Sequence, residues 1–288
     1  MPMRGIYDEI KERFLVVLEG RRMLSEKVQV KARPLRTEEA IGNPEADDFP
    51  LQKGKEKLMQ AEFHGSLGQA FTDQYGDFEG TLRDVLEMPL RNNYKRSVFV
   101  ATLNVVLRFL GQTEGTIHCH DKGPEECASE LVDELKAKYR ASKIVQVGFQ
   151  PRMVEYLAPE FFLRVLDMDK DNIGFEKFGV MIEDPAAADD AIEWADLLFV
   201  TGTTLVNDTI GQFLRKKPVL FYGTTIAGAA SIMGWERFCA RFRSLYKLCC
   251  LPESGSQSGC EIQVGIWGYR IQELMAWPSQ TKSFTNQG

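Results

Sequence analysis

The chain has no apolar run near the ~20 residues that a bilayer-spanning helix requires. Its N-terminus, "MPMRGIYDEIKERF", is charged and helix-like and lacks the apolar centre of an export signal, which predicts a cytoplasmic protein with no membrane partner. Six cysteines in 288 residues, without such a signal, read as reduced thiols and not as a disulfide framework. Positive charge is not in excess: 35 Lys and Arg stand against 41 Asp and Glu, a net charge of -6, so the composition gives no pull toward nucleic acid. Several chemical signatures are missing. There is no G-x-G-x-x-G fingerprint, no Walker loop, no C-x-x-C pair and no zincin helix. Ser-His-Asp order and the kinase set are missing as well, so acyl and phosphoryl transfer have no support. Histidine is scarce, at three residues.

What is present is an ordinary globular composition, 44% hydrophobic, with two halves that differ in pattern. In the first, "YDEIKERFLVVLEG" puts Ile10, Phe14 and Leu18 on one helical face, and "EKVQVKARPLRTEEAIG" alternates like a strand. "GDFEGTLRDVLEMPLRN" reads as a turn and a short helix. "NNYKRSVFVATLNVVLRFLG" reads as a long helix packed on several sides and ending near Gly111. This predicts a smaller α+β domain over 1–111. Over 112–288 strands alternate with helices. "SKIVQVGF", "FFLRVLDMD", "DLLFVTG" and "PVLFYG" read as strands, and "PRMVEYLA", "DPAAADDAIEWA" and "TTLVNDTIGQFLRKK" as helices, with Asp184 capping the second. The pattern predicts an α/β, doubly wound parallel sheet.

Such sheets hold ligands beyond the carboxyl ends of their strands. Those ends carry Gly148, Gln150 and Arg152, then Asp167 to Asp169, then Gly202, Thr203 and Thr204, then Gly223, Thr224 and Thr225. Asn207 follows Thr203 and Thr204 by about one helical turn. The amides of the helix expected at 203, two hydroxyls, a carboxamide and the Arg152 fork suit an oxygen-rich anion. A helix cap with a packed Asn is the plain alternative. Asp167, Asp169, Glu183 and the histidines are the acid-base candidates.

A second cluster lies in "TIHCHDKGPEECASELVDELKAKYR". His118 and His120 flank Cys119, and Cys127 falls in the first turn of the next helix, where the positive helix end should lower its pKa. With Asp121 these donors suit a Zn, Ni or Fe ion, although a buried Cys and two surface histidines fit the same residues. Cys239, Cys249, Cys250 and Cys260 read as structural, and His64 as a loop residue.

"GFQPRMVEYLA", "ADLLFVTGTTLVNDTIGQFL" and "PVLFYGTT" resemble the Rossmann-like domain of the "putative heavy-metal chelation domain" family, which has a glycine-aromatic-x-Pro stretch after its first strand and a Gly-Thr-Thr-Leu-Val-Asn-x-Thr stretch after a later one. The resemblance implies a preceding domain similar to the enolase N-terminal fold, closed by a helix like "RSVFVATLNVVL". One departure is Asp208, where the family pattern leads one to expect a glycine. Function stays open between three classes: a cleft, with or without catalysis, for a small anion or metal chelate; a metal-handling protein; and a non-catalytic sensor or interaction module for a nucleotide-like ligand. A homodimer is compatible with each.

Overall fold

The computed structural model describes residues 5–31, 57–119, 123–214 and 217–240. Helix α1 (Ile6–Gly20) buries Ile10, Phe14 and Leu18 completely, as their spacing requires. Strand β1 (Lys27–Lys31) alternates exposed and buried residues, the mark of a sheet covered on one face. Strands β2 (Lys57–Phe63) and β3 (Ser66–Thr72) form an antiparallel hairpin. Its turn is His64-Gly65, at φ 47° and 77°; two positive φ values in a two-residue loop match the twist of the strands. His64 is therefore a turn residue, paired with Glu26. Strand β4 (Phe78–Thr81) adds to β1 and gives the order β3-β2-β1-β4. The stretch expected as a turn is thus partly strand, because β1 offers an open edge and Phe78 packs on the core. Helix α2 (Leu82–Glu87) follows, capped by Thr81.

Helix α3 (Asn93–Phe109) is buried continuously from Arg96 to Leu107. It lies on β2 and β3 at a spacing that only glycine permits at 68: a Cβ there would sit 2.3 Å from Val105 N.

Beyond it, helix α4 (Gly123–Lys138) leads into β5 (Lys143–Val147), helix α5 (Pro151–Leu157), β6 (Phe162–Leu166), β7 (Glu176–Lys177) and β8 (Val180–Glu183). Helix α6 (Ala188–Trp194), β9 (Leu197–Thr201), helix α7 (Thr203–Val206), β10 (Val219–Tyr222), helix α8 (Ala227–Met233) and β11 (Arg237–Phe238) complete the described part. The strand order is β11-β10-β9-β5-β6-β8-β7, parallel throughout except for β7. The parallel sheet expected from strand-helix alternation is present, beside a separate antiparallel sheet. Side-chain alternation covers both its faces. Ile144, Leu197 and Phe199 pack with Leu131 and Leu135 of α4, while Val145, Leu198 and Val200 join the other core. That larger core also holds Phe14, Phe63 and Phe99, so buried side chains from both sides of residue 111 are continuous. No helix among the described residues is long and apolar enough to cross a membrane.

Two local expectations are corrected. The helix read over 203–217 is a single turn, α7, followed by a 3-10 turn at Ile210–Gln212. Asp208, at φ 61°, stops it. This is a left-handed position that glycine occupies without strain and Asp tolerates, and it accounts for the glycine that the family pattern implies there. Leu205, Val206, Ile210 and Phe213 are all buried, so their helical spacing reflected burial from irregular backbone. Cys239, read from the sequence as following an aromatic-rich helix and lying in the core, instead follows the strand β11.

Candidate functional site

The carboxyl ends of β5, β6, β9 and β10 open into one cleft of about 580 Å³. It is closed on the far side by β3, the start of α3 and residues 115–119. All ten residues read from the strand ends line it: Gly148, Gln150 and Arg152; Gly202, Thr203, Thr204 and Asn207; Gly223, Thr224 and Thr225. His118, Cys119 and Cys127 line it too. His120 and Asp121 lie outside the described residues.

The strand-end residues do different work. Gly148 has φ 90°, and a Cβ there would stand 2.8 Å from Thr201 Cγ2 and 3.0 Å from Tyr222 Oη. The Tyr222 hydroxyl donates to the carbonyls of Val147 (3.0 Å) and Gly148 (2.8 Å), which ties this turn to β10 across the end of β9. Thr204 spends its hydroxyl on Thr201 O at 2.7 Å, and Thr225 Oγ1 accepts from Phe71 N at 3.0 Å, so both are structural ties in the wall. Thr203 Oγ1 lies 3.1 Å from Thr201 Oγ1, both half-buried. Asn207 Oδ1 accepts from Asn93 Nδ2 at 3.3 Å, and the same amide donates to Asp73 Oδ1 at 2.7 Å. This chain of polar groups joins the two sides of the cleft. Arg152 pairs with Glu155 at 2.5 Å, so part of its charge is already compensated. With α7 only four residues long, the anion-favouring helix end expected at Thr203 is lost, and the wall offers hydroxyls and amides instead.

Asp167 is the acid that the cleft holds most tightly. Its Oδ2 accepts Phe149 N at 2.6 Å; its Oδ1 accepts Asp169 N at 2.7 Å and Asn172 Nδ2 at 3.4 Å. Burial raises its pKa despite these bonds, which act in the opposite direction. A native carboxyl with a raised pKa binds protons more readily than in the unfolded chain. It therefore adds stability as pH falls through its native pKa and costs stability at neutral pH. Relative to Asp167→Asn, the parent should be least stable near pH 7 and should gain as pH drops toward the ordinary Asp value of about 3.9. Urea melts of the two proteins across pH 4–7 check this; a constant difference contradicts it. Glu183, by contrast, is held by Arg164, which also reaches Asp190 at 2.8 Å. That carboxylate belongs to the scaffold.

The soft donors occupy the end of the cleft near residues 115–119. His118 N donates to Gln69 Oε1 at 2.8 Å, and its ring meets Phe71 edge-on. Cys239 lines this same wall although its sequence context suggested a core residue. Nothing in the local sequence marks it; only the short strand β11 brings it to Cys119 and Cys127. The Cys127 thiol is pushed up to about 12, first by burial, with Cys239 and Cys119 adding and the Ala240 amide opposing. The lowered pKa expected at a helix start is therefore reversed by desolvation. Burial disfavours the Cys127 thiolate and shields the sulfur, so iodoacetamide should alkylate it far more slowly than an unfolded control peptide. Equal rates by mass spectrometry contradict this. Among the described residues no three His, Cys, Asp or Glu side chains are gathered for a metal ion, so those residues alone do not form a closed metal site.

Residues 131–226 match the family described as "Putative heavy-metal chelation" (DUF364). This is the family that the sequence resembles, and the match spans about a third of the chain. Among solved structures, a DUF364 protein of unknown function from Pyrococcus horikoshii is 15% identical with a TM-score of 0.48, covering 76% of this chain and 79% of its own. One from Desulfitobacterium hafniense DCB-2, also of unknown function, is 14% identical with a TM-score of 0.42, covering 62% and 72%. No curated protein matches.

Proposed function

We propose that the heavy-metal-chelation family domain of this chain serves to bind a small oxygen-rich molecule, either an anionic metabolite or one that carries a metal as its chelate. The observation that carries this reading is the convergence of hydroxyl, amide and guanidinium groups from four strand ends, and from α3 opposite them, around one cavity large enough for a metabolite. The family description speaks of heavy-metal chelation, and the softer end of the cleft, with Cys119, Cys127 and Cys239, is where a metal carried by the ligand would find thiols. A second reading, direct metal handling, draws on Cys119, Cys127, Cys239 and His118, which line the same cleft without three of them being gathered on one ion, so it needs a donor from the ligand or from a residue outside the described ones.

Native mass spectrometry with elemental analysis, on protein purified without chelators or affinity metal, tests both. Thr203→Val with Asn207→Leu leaves the structural hydroxyl of Thr204 in place and should reduce the retained molecule at least about tenfold, with the melting point within a few degrees of the parent. Retention equal to the parent's removes the cleft reading. Retained metal that disappears in Cys119→Ser/Cys127→Ser, with no organic molecule present, favours the second.

A further inference from the structure

The strand order, read outward from β5, has a specific form. The first strand of the sheet is central. The second and third, β6 and β8, step to one side, and the fourth to sixth, β9, β10 and β11, step to the other. This is the nucleotide-binding order 3-2-1-4-5-6, with β7 as an added edge, and the cleft opens at the point where the order reverses. In sheets of this order an acid at the end of the second strand, about 20 residues after the first turn's glycine, accepts a ribose hydroxyl. Here Asp167 ends the second strand, 19 positions after Gly148 (167 minus 148). It is bonded to the first turn itself through Phe149 N. Among the described residues its Oδ2 accepts only that one bond, and a carboxylate oxygen has room for a second. Beside it Met168 is 63% exposed at the cleft wall with Pro185 and Ala188, its sulfur accepting from Asn207 Nδ2 at 3.8 Å.

The same turn does not fit a dinucleotide. It has one glycine where a pyrophosphate cradle has three, with Phe149 and Gln150 following, and Pro151 at the first helical position has no N–H to offer. The α5 helix that follows is seven residues long.

We infer that the Asp167 end of the cleft is a ribose subsite, and that the ligand is a ribonucleoside without a pyrophosphate. A sugar hydroxyl donates to Asp167 Oδ2, the base lies on Met168, and any polar arm runs toward Thr203 and Asn207. This rests on the reading of the cleft as a site for an oxygen-rich anion and narrows it: the anionic group sits on the arm, and the plain nucleosides of the test probe the ribose end alone.

The test is calorimetric titration of the full chain with adenosine, guanosine, cytidine and uridine, each beside its 2′,3′-dideoxy counterpart, and with NAD. At least one ribonucleoside should bind, and loss of its two hydroxyls should weaken it at least about tenfold. NAD should bind no tighter than adenosine. Asp167→Asn should lose the same factor for the ribonucleoside and leave the dideoxy form unchanged, a comparison that a merely unstable variant cannot mimic. Equal affinity for ribo and dideoxy forms, tighter binding of NAD, or no binding up to millimolar concentration overturns the inference. A retained molecule that is not a nucleoside but is lost in Thr203→Val/Asn207→Leu overturns the ribose subsite and leaves the cleft reading standing.

Discussion

Replacing Asn104 by Ala should lower the unfolding free energy by about 3–5 kcal/mol. The side chain is fully buried in the middle of α3. Its amide donates to Gln69 O at 2.8 Å and to the carbonyls of Thr224 and Thr225 at 3.2 Å each, and its oxygen accepts Gly228 N at 2.6 Å. One residue thus satisfies backbone groups of β3, of the turn after β10 and of α8. Truncation removes this partner from the Gly228 N–H and from the Gln69 and Thr225 carbonyls, at about 1–3 kcal/mol per group left unsatisfied, while the Thr224 carbonyl keeps Ala227 N at 3.1 Å. Thr102, on the same helix and equally buried, is the control. Its hydroxyl has no hydrogen-bond partner among the described residues, so Thr102→Val should cost nothing or stabilise. Urea unfolding of both variants decides the matter. A loss under 1 kcal/mol for Asn104→Ala would mean that α3 is not the tie between the two sheets.

The second large effect is expected at Gly148→Ala. A side chain at φ 90° costs about 1–2 kcal/mol in backbone strain alone. The new methyl would also meet Thr201 Cγ2 and Tyr222 Oη inside ordinary contact distance. Overpacking of this kind typically adds about 1–3 kcal/mol. We expect a loss of about 2–4 kcal/mol and, because relief requires the first turn to move away from β9 and β10, loss of retained ligand as well. Thermal melting with native mass spectrometry reads both. Unchanged stability with full ligand retention would show that the turn is looser than its contacts imply.

The parallel sheet was legible because strands covered on both faces appear as short apolar runs, and β5, β9 and β10 carry such runs with a glycine at each end. Thr203, Thr204 and Asn207 were legible as cleft residues for the same reason: a strand end fixes where its next residues go. The kind of helix that followed was not. Leu205, Ile210 and Phe213 keep helical spacing yet are buried from a broken backbone, and only the conformation of Asp208 reveals the break. The β2–β3 hairpin went unread because its turn is His-Gly instead of the commoner Asn-Gly. Asn104 and Arg96 were hidden inside an apolar helix. Arg96 in fact bonds Val206 O at 2.6 Å and Leu90 O at 3.1 Å, contacts with partners remote in sequence or off its own helix. The Cys127 pKa was misread because helix-end charge is a local effect, whereas burial depends on segments distant in the chain, including Cys239.

The most direct measurement is a crystal structure of the full chain grown from protein that has met no added ligand, with density inspected between Asp167, Thr203 and Asn207. The account predicts an ordered organic molecule there, with an oxygen within hydrogen-bond distance of at least two of these side chains. A cleft filled only by water, while native mass spectrometry of the same protein shows a retained molecule bound elsewhere, would contradict it.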